Sequence, residues 1–272
     1  MIHVVQFSGG KDSTALVLWA REEFGAEGFV SMFCDTGWEH PLTLAYVEHI
    51  NRRLLRGRLH VVRTEKFTGM VNLIQVKKRV PSATARFCTD ELKTTPSVPF
   101  VRALMDEAGD EATVYQGVRA DESARRRAAG RRFWSDTYDC WIERPLYDWT
   151  AEKVFAMHDK HGVEPNPLYK MGAGRVGCFP CVLVNHTELR RLSQTMPEIW
   201  DRMAELEAAA AAGRTFFPPD YIPERFCTRR DQATGRRIPT LEDVRAYVTQ
   251  PNQPAFWDDE SRHCMSIYNQ CE

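Results

Sequence analysis

Apolar and β-branched residues fill the start of the chain, where Ile2–Phe7 predicts a buried β-strand. A serine and two glycines at residues 8–10 end this strand abruptly. From Ser13 onward the apolar residues recur at helical spacing, so that Leu16 and Ala20 share one face. The chain therefore begins with a strand, a tight turn and a helix.

Strands and helices continue to alternate through the first part of the chain. Further strands are predicted at residues 28–33, 59–63 and 113–116 and within 141–149. Helices are predicted at about residues 41–55 and at 150–161, the latter with Thr150 as N-cap. Such alternation is typical of a parallel α/β sheet. We expect an α/β, Rossmann-like fold, with a parallel five-stranded sheet and helices on both faces.

The last third of the chain has a different pattern. Helices are predicted at residues 187–195, 198–212 and 240–248, the last with Thr240 and Asp243 as a capping box. We therefore expect two parts. Residues 1–177 form the sheet domain, and residues 178–272 form a mainly helical, cysteine-containing C-terminal appendage.

Composition narrows the class of protein. A chain of 272 residues can form one large α/β domain and an appendage. Because the net charge is only −1, any contact with nucleic acid must come from local patches. No apolar run approaches about 18 residues, and Met1 leads directly into the first strand. We expect a soluble, cytoplasmic protein that does not contact a membrane.

The turn after the first strand has the composition of a phosphate-binding loop. Its glycines let the backbone approach an anion, and free N–H groups at the start of the next helix face that anion. Lys11 adds charge, and the hydroxyls of Ser8 and Ser13 add hydrogen bonds. The spacing differs from that of the Walker loop. An ordinary strand–turn–helix connection is the alternative interpretation.

This loop resembles the pyrophosphate-binding (PP) loop of the adenine nucleotide alpha hydrolase superfamily, whose members cut ATP between its α and β phosphates. The matching residues are Ser8, Gly9, Gly10, Lys11, Asp12 and Ser13. The resemblance implies that ATP with Mg²⁺ lies on the loop, and that Lys11 and Asp12 take part in catalysis. It also implies that residues 1–177 form the PP-loop nucleotide-binding domain.

Two later segments resemble the phosphoadenosine phosphosulfate (PAPS) reductase-like branch of that superfamily. Asp35, Thr36 and Gly37 end the second strand, where a carboxylate can hold a ribose hydroxyl or a magnesium ion. A solvated turn is the alternative for these residues. Cys88 and Lys93 lie in a segment that resembles the Cys-x-x-x-Leu-Lys motif of the branch. The resemblance makes Lys93 a nucleotide-binding residue and Cys88 a catalytic candidate.

A third segment resembles the Gly-x-Arg-x-x-Glu-Ser motif of the same branch. It begins at Gly117 and places Arg119 after the fourth strand, where a guanidinium can clamp a phosphate. The resemblance implies a nucleotide-binding Gly117 and a catalytic, nucleotide-binding Arg119. Two arginine-rich stretches follow, at residues 125–132 and 216–239. Each can be a solvated loop or a nucleic-acid contact, and the first can also be a lid over polyphosphate.

The eight cysteines suggest metal or redox chemistry, because the chain has no secretory signal. Cys178 and Cys181 form a C-x₂-C pair, and Cys264 and Cys271 form a second close pair. Together they predict a four-thiolate metal site that suits a [4Fe–4S] cluster, with zinc or no metal as the alternatives. Cys88 is the rival for the fourth ligand position.

Three functions fit these features. The first is an ATP pyrophosphatase that adenylates an acceptor for sulfur transfer to a nucleic acid, tRNA or DNA, with a sulfur-donor protein as partner. The second is a PAPS or adenosine 5′-phosphosulfate (APS) reductase that acts through a cysteine. The third is a non-catalytic nucleotide sensor or nucleic-acid binding module. The intact Lys-Asp-Ser ending of the loop favours the first of these functions. A homodimer is one possible assembly of the protein.

Overall fold

The computed structural model describes residues 1–232 and 234–250, and the statements below concern those residues. One sheet contains the strands β1 (Ile2–Phe7), β2 (Val30–Cys34), β3 (Leu59–Val62), β4 (Ala112–Tyr115), β5 (Arg132–Ser135) and β6 (Cys140–Glu143). Their spatial order is β3-β2-β1-β4-β6-β5, and every pair is parallel except β5 with β6. The predicted Rossmann-like, mostly parallel sheet is confirmed, but it has six strands where we predicted five.

The additional strand is β5, in the stretch where the arginine run predicted a loop. Residues 132–135 have the sequence Arg-Phe-Trp-Ser, and aromatic residues favour a pleated surface. A short turn that contains Asp139, with φ at 58°, returns the chain to β6. Strand β6, predicted within residues 141–149, ends at Glu143; two residues later Pro145 has no N–H to donate to the sheet.

Helices account for most of the remaining described chain. They are α1 (Lys11–Phe24), α2 (Pro41–Leu54), α3 (Met70–Lys77), α4 (Phe87–Thr89), α5 (Thr95–Ala108), α6 (Ala124–Ala128), α7 (Ala151–Lys160), α8 (His186–Thr195), α9 (Ile199–Ala209) and α10 (Leu241–Thr249). A π-helical turn, Asp90–Thr94, joins α4 to α5, and 3₁₀ turns occur at Pro167–Tyr169 and Glu224–Phe226. A two-stranded hairpin, β7 (Arg229–Arg230) and β8 (Arg237–Ile238), precedes α10. The sequence did not predict α3 to α5.

Helices cover both faces of the sheet, as predicted. On one face, Leu16 of α1, Ile50 of α2 and Val154 of α7 are completely buried in the same core as Val5 of β1. On the other face, Val101 of α5 is buried in a core formed by residues of β1, β2, β4 and β6. The strands therefore lie in the middle layer of three.

A third hydrophobic core lies beside the sheet and joins residues from before and after position 177. Leu73 of α3 and Met203 of α9 are both 0% exposed, and Leu189 of α8 and Val244 of α10 belong to the same core. The helical character of the C-terminal part is confirmed up to residue 250, including the capping box at Thr240. The domain boundary at residue 177 stays a prediction. Within the described part of the chain, no helix has the length and apolar character needed to span a bilayer.

Candidate functional site

A cavity of about 390 Å³ opens where the direction of the strand order reverses. From β1 the chain adds β2 and β3 on one side, and it then returns to place β4 on the other side of β1. Ligands of open α/β sheets bind beyond the carboxyl ends of the strands at such a switch point. The loop after β1 and the loop after β4 both line this cavity, through residues that include Ser8, Gly10, Gln116 and Gly117.

The two loops touch at Gly117, where a side chain would not fit. A Cβ atom there would lie 3.0 Å from the carbonyl oxygen of Asp12 and 3.2 Å from the backbone nitrogen of Ser13. Both neighbours are backbone atoms, so a clash could be relieved only by moving a loop. The structure thus brings Gly117 against the predicted phosphate loop, and a larger residue would need one of the two loops to shift by a few tenths of an ångström.

The phosphate loop is held by its own backbone and by α2. Gly9 has φ at +77°, a conformation that side chains rarely adopt, and its missing Cβ would meet methyl groups of Thr43 and Val47 at 3.0 Å. The Ser13 hydroxyl accepts a hydrogen bond from Ser8 N at 3.1 Å and lies 3.0 Å from the carbonyl oxygen of Gly10. Because α1 begins at Lys11, its first-turn N–H groups lie at the loop.

Side chains from α7 and from the segment after it support the loop, a role that sequence reasoning did not assign to them. The Asn166 amide donates to Gly9 O at 3.1 Å, and the Tyr169 hydroxyl accepts from Lys11 N at 2.9 Å. His158 Nε2 lies 2.9 Å from Lys11 O. All three side chains are at most 2% exposed. Each is more than 140 positions from its partner, so local sequence patterns give no sign of these contacts.

Asp12 joins the loop to Arg119. Its carboxylate accepts from Arg119 Nε at 2.7 Å and from Lys11 Nζ at 3.2 Å. Burial alone would raise the pKa of Asp12, but the charges of Lys11 and Arg119 more than offset it, so the pKa is lowered. Asp12 is therefore a stable carboxylate between two cations.

Arg119, for which the motif predicts a contact with the nucleotide, is bound by carboxylates, and its catalytic and nucleotide-binding role stays a prediction. Its side chain is 2% exposed and also donates to Asp121 at 2.6 Å and to the Trp149 carbonyl at 3.2 Å. The cavity is instead lined by four other cations, namely Lys11, Lys93, Arg126 and Arg175.

These cations make the cavity suited to a polyanion. Burial is the main cause that lowers the pKa of Arg126 to about 10, the charge of Arg175 acts in the same direction, and the guanidinium pairs with Glu122. A guanidinium with that pKa remains protonated at neutral pH.

The Asp-Thr-Gly segment after β2 forms a turn whose neighbour, Glu39, reaches the cavity. Asp35 accepts from Gly37 N at 2.9 Å and pairs with Arg63. Thr36 is buried and donates to the Glu39 carboxylate at 2.6 Å. Burial raises the pKa of Glu39, which lines the cavity. Gly37 has φ at +65° and approaches the backbone of another loop.

The thiols of Cys88, Cys178 and Cys181 and the carboxylate of Glu39 all act electrostatically on the ammonium group of Lys93. The pKa of Lys93 is raised, chiefly by Cys178, and Glu39, Cys181 and Cys88 act in the same direction. Burial raises the pKa of the Cys88 thiol, and Cys178 raises it further. The structure thus brings Cys88, Cys178 and Cys181 towards the same wall of the cavity as Lys93.

These thiols do not form a complete metal site by themselves. Among residues 1–232 and 234–250, no three His, Cys, Asp or Glu side chains are grouped closely enough to hold a metal ion. Thiolates are the appropriate donors for iron–sulfur clusters and zinc, so the chemistry of Cys178 and Cys181 fits such a group. The predicted ligands Cys264 and Cys271 lie outside the described residues. The four-thiolate site stays a prediction.

Known proteins match this chain over most of its length, and the family that they indicate is consistent with the observed fold. The model of the phosphoadenosine phosphosulfate reductase domain family matches residues 2–184. An uncharacterized 37.8 kDa protein of Escherichia phage 186 is 33% identical over 275 residues, which cover 82% of this chain and 81% of the phage protein. The adenosine 5′-phosphosulfate reductase of Allochromatium vinosum is 30% identical over 177 residues, 64% of each chain.

One solved structure is similar in fold. The phosphoadenylyl-sulfate reductase of Candida auris, crystallised as a phosphate complex, superposes with a TM-score of 0.50 over 66% of this chain and 83% of that enzyme. The two sequences are 15% identical, so this likeness concerns the fold alone.

Proposed function

The chain belongs to the phosphoadenosine phosphosulfate reductase domain family, and from this premise we propose that it is an ATP pyrophosphatase that adenylates an acceptor for sulfur transfer. The observation that carries the proposal is the complete phosphate loop, residues 8–13, at the mouth of a cation-lined cavity. An adenine nucleotide with a β–γ pyrophosphate would use all of these features. A sulfonucleotide has no β–γ pyrophosphate for such a loop to bind.

The proposed reaction has two displacements. An acceptor oxygen attacks the α-phosphorus of ATP, which forms an O–P bond and breaks the bond between the α-phosphorus and the bridging oxygen of pyrophosphate. A sulfur nucleophile then attacks the adenylated carbon or phosphorus centre of the acceptor, and AMP leaves with the former acceptor oxygen. The sulfur comes from a donor protein, and the acceptor is a nucleic acid, tRNA or DNA. We place this reaction in the cytoplasm.

The roles of the protein in this reaction are binding and charge stabilisation. Lys11 and the first-turn N–H groups of α1 hold the pyrophosphate, while Arg126, Arg175 and Lys93 neutralise charge along the cavity. Arg119 acts indirectly, because it fixes the Asp12 carboxylate and with it the loop. Arg119 is thus a positioning residue in this proposal.

Carboxylates on the cavity wall are the candidate oxygen ligands for Mg²⁺. Asp12, Glu39 and Glu122 line the cavity, whereas Asp35 is not among its lining residues. Asp12 is also bound by Lys11 and Arg119, and Glu122 by Arg126, so Glu39 is the lining carboxylate that forms no ion pair with a cation among the described residues. A [4Fe–4S] cluster bound by Cys178, Cys181, Cys264 and Cys271 would supply electron-transfer chemistry next to the nucleotide. Zinc at the same thiolates is the alternative.

The second candidate function is reduction of a sulfonucleotide by a cysteine. The thiols of Cys88, Cys178 and Cys181 around Lys93 favour it, as does the likeness to an adenosine 5′-phosphosulfate reductase. The two functions predict different products. A reductase would release sulfite and AMP or adenosine 3′,5′-bisphosphate from its substrate, and it would not release pyrophosphate from ATP.

The proposal is tested by pyrophosphate release from Mg-ATP, with tRNA and then DNA offered as acceptor to anaerobically purified protein. Lys11→Ala should lower the rate by about 10²–10³-fold, as expected when a group that stabilises transition-state charge is removed. Lys160→Ala is the matched control, because Lys160 is exposed on α7 and pairs with Glu22. Equal turnover by wild-type protein and Lys11→Ala would remove the loop from the mechanism.

A further inference from the structure

The free edge of the sheet carries exposed aromatic side chains. Strand β5 is the last strand of the sheet, and its Phe133 and Trp134 are 37% and 46% exposed. Trp134 lies opposite Trp141 of β6, with ring centroids 5.6 Å apart and planes at 84°. Arg132 lies 4.3 Å over the Trp141 ring. These contacts hold the tryptophan in place while its outer side remains open to solvent.

A segment rich in arginine connects this edge to the nucleotide cavity. Five arginines lie between residues 125 and 132. Arg126 lines the cavity, and Arg125 and Arg127 are exposed on the same short helix, α6. Within the described residues, neither Arg125 nor Arg127 forms an ion pair. The other three arginines of the segment do form ion pairs, Arg126 with Glu122, Arg131 with Asp148 and Arg132 with Glu143. The uncompensated positive charge next to the aromatic edge is therefore that of Arg125 and Arg127.

This segment is anchored, although its composition predicts a solvated loop. The buried Arg144 donates to the carbonyl oxygens of Ala129 and Gly130 at 2.6 and 2.7 Å, and its guanidinium lies 4.8 Å over the Phe133 ring. The Tyr147 hydroxyl also bonds the carbonyl of Arg127. A surface fixed in this way loses less entropy when it binds a ligand.

Strand direction places the start of β5 at the cavity end of the sheet, and the strand runs away from it. Because β5 runs antiparallel to β6, Arg132 pairs with Glu143 at the carboxyl end of β6, on the side where the cavity opens. Trp134 lies two residues farther along the strand, at about 7 Å from Arg132. Even fully extended, the eight residues from Arg126 to Trp134 span at most ~28 Å. A short polynucleotide can bridge this distance.

We propose that α6 and β5 form a docking surface for single-stranded nucleic acid, on which Trp134 stacks against an unpaired base and Arg125 and Arg127 contact phosphates. Phe133, the preceding residue of the strand, points to the opposite face of the sheet, where Arg144 covers its ring. This inference rests on the proposed function, since it locates the acceptor strand beside the nucleotide. Exposed aromatic rings interleaved with arginine are the combination that binds single strands, because every base has a stacking face and every nucleotide a phosphate.

The exposed arginines of α6 complement the negative phosphates of a polynucleotide, whereas a second copy of this chain would have to pair with the edge strand β5. An exposed edge strand can pair with another strand, but β5 has only four residues and begins with a charged residue, Arg132. Short, charged edges resist pairing of that kind. Self-association through β5 is therefore an outcome that the experiment must distinguish.

The test measures binding of labelled oligothymidylate and oligouridylate to the full chain by fluorescence anisotropy. Trp134→Ala should weaken binding by about 5- to 150-fold, the loss expected for one stacked base, and Trp134→Phe should retain most of the affinity. The control is Val61→Ala, which changes an exposed residue on the opposite edge strand, β3, and should leave binding unchanged.

The contribution of the arginines is measured by salt dependence. The double variant Arg125→Ala/Arg127→Ala should reduce the slope of log K against log salt by about 1.4, since each phosphate contact on a single strand contributes about 0.7. Arg245→Ala, an exposed arginine on α10, should leave the slope unchanged.

Three results would overturn the docking surface. The first is that the wild-type protein binds no oligonucleotide, and the second is that the wild type and Trp134→Ala bind it with equal affinity. The third is that the wild type is a dimer that Trp134→Ala converts to a monomer without any loss of oligonucleotide binding. Lys11→Ala should bind oligonucleotide as the wild type does. If the wild type binds oligonucleotide but releases no pyrophosphate from ATP, the proposed reaction alone is refuted. If it releases pyrophosphate but Trp134→Ala binds oligonucleotide as tightly as the wild type does, this surface alone is refuted.

Discussion

Replacing Asp12 by asparagine isolates the charge that joins the phosphate loop to Arg119. Asparagine keeps the size of the side chain and one acceptor oxygen, but it removes the negative charge between Lys11 and Arg119. The Arg119 side chain is 2% exposed, so it cannot recover the lost interaction from water. Asp121 still binds the other end of the guanidinium.

The expected loss of stability in Asp12→Asn follows from the burial of the ion pair between Asp12 and Arg119. Removing one partner of a buried ion pair costs about 3–5 kcal/mol, and the remaining pair with Asp121 reduces this cost. We expect Asp12→Asn to lower the free energy of unfolding by ~2–3 kcal/mol at neutral pH. Asp121→Asn is the matched control because it faces the same guanidinium but is 38% exposed, so its loss should be below ~1 kcal/mol.

The pH dependence provides a second check with a definite sign. The pKa of Asp12 is lowered in the folded protein, so its contribution is fully present above the unfolded pKa of about 3.9. This contribution is lost as the pH falls through the lower, folded pKa. The difference in stability between wild type and Asp12→Asn should therefore shrink below about pH 4.

The measurement is urea unfolding followed by tryptophan fluorescence, with midpoints and slopes compared in the absence of nucleotide. Unchanged slopes are required for the midpoints to be converted to free energies. If Asp12→Asn is as stable as the wild type, or if the two variants lose equal stability, the proposed anchoring of the loop by Arg119 is wrong.

Two further predictions concern the contact between loops and the thiols. Gly117→Ala should weaken ATP binding by ~10-fold or more in titration calorimetry, because the new Cβ would lie 3.0 Å from the backbone of Asp12. Gly174→Ala, whose Cβ would lie at least 3.5 Å from its neighbours, should bind ATP nearly as wild type does, and equal losses would contradict the steric reason. Anaerobically purified protein should contain iron and sulfide that Cys181→Ser loses and that the control Cys140→Ala retains. Colourless protein with stoichiometric zinc would refute the cluster.

Local sequence patterns were sufficient to predict the elements that begin the chain. The bounds of β1 follow directly from an apolar run ended by a serine and two glycines. The capping residues Thr150 and Thr240 correctly marked the starts of α7 and α10. These features are determined within a few residues of each other, so the sequence displays their cause.

The order of strands could be anticipated only in part. Alternating strands and helices indicated a parallel sheet and hence a site at the carboxyl ends of strands, which is where the cavity lies. Strand β5 was not predicted, because its four residues follow an arginine run and depend on pairing with β6. Such pairing is a tertiary property of a short strand.

The sequence by itself determined the strand, glycine-containing turn and helix of residues 2–24 and the mostly parallel α/β class of the fold. Only the tertiary structure decided which side chains serve that loop. It assigned Arg119 to the Asp12 carboxylate rather than to the cavity, and it brought Tyr169 and Asn166 beneath the loop from more than 150 positions away. The reason is physical: periodicity records which face of an element is buried, whereas partners across the sheet are fixed by how the elements pack together.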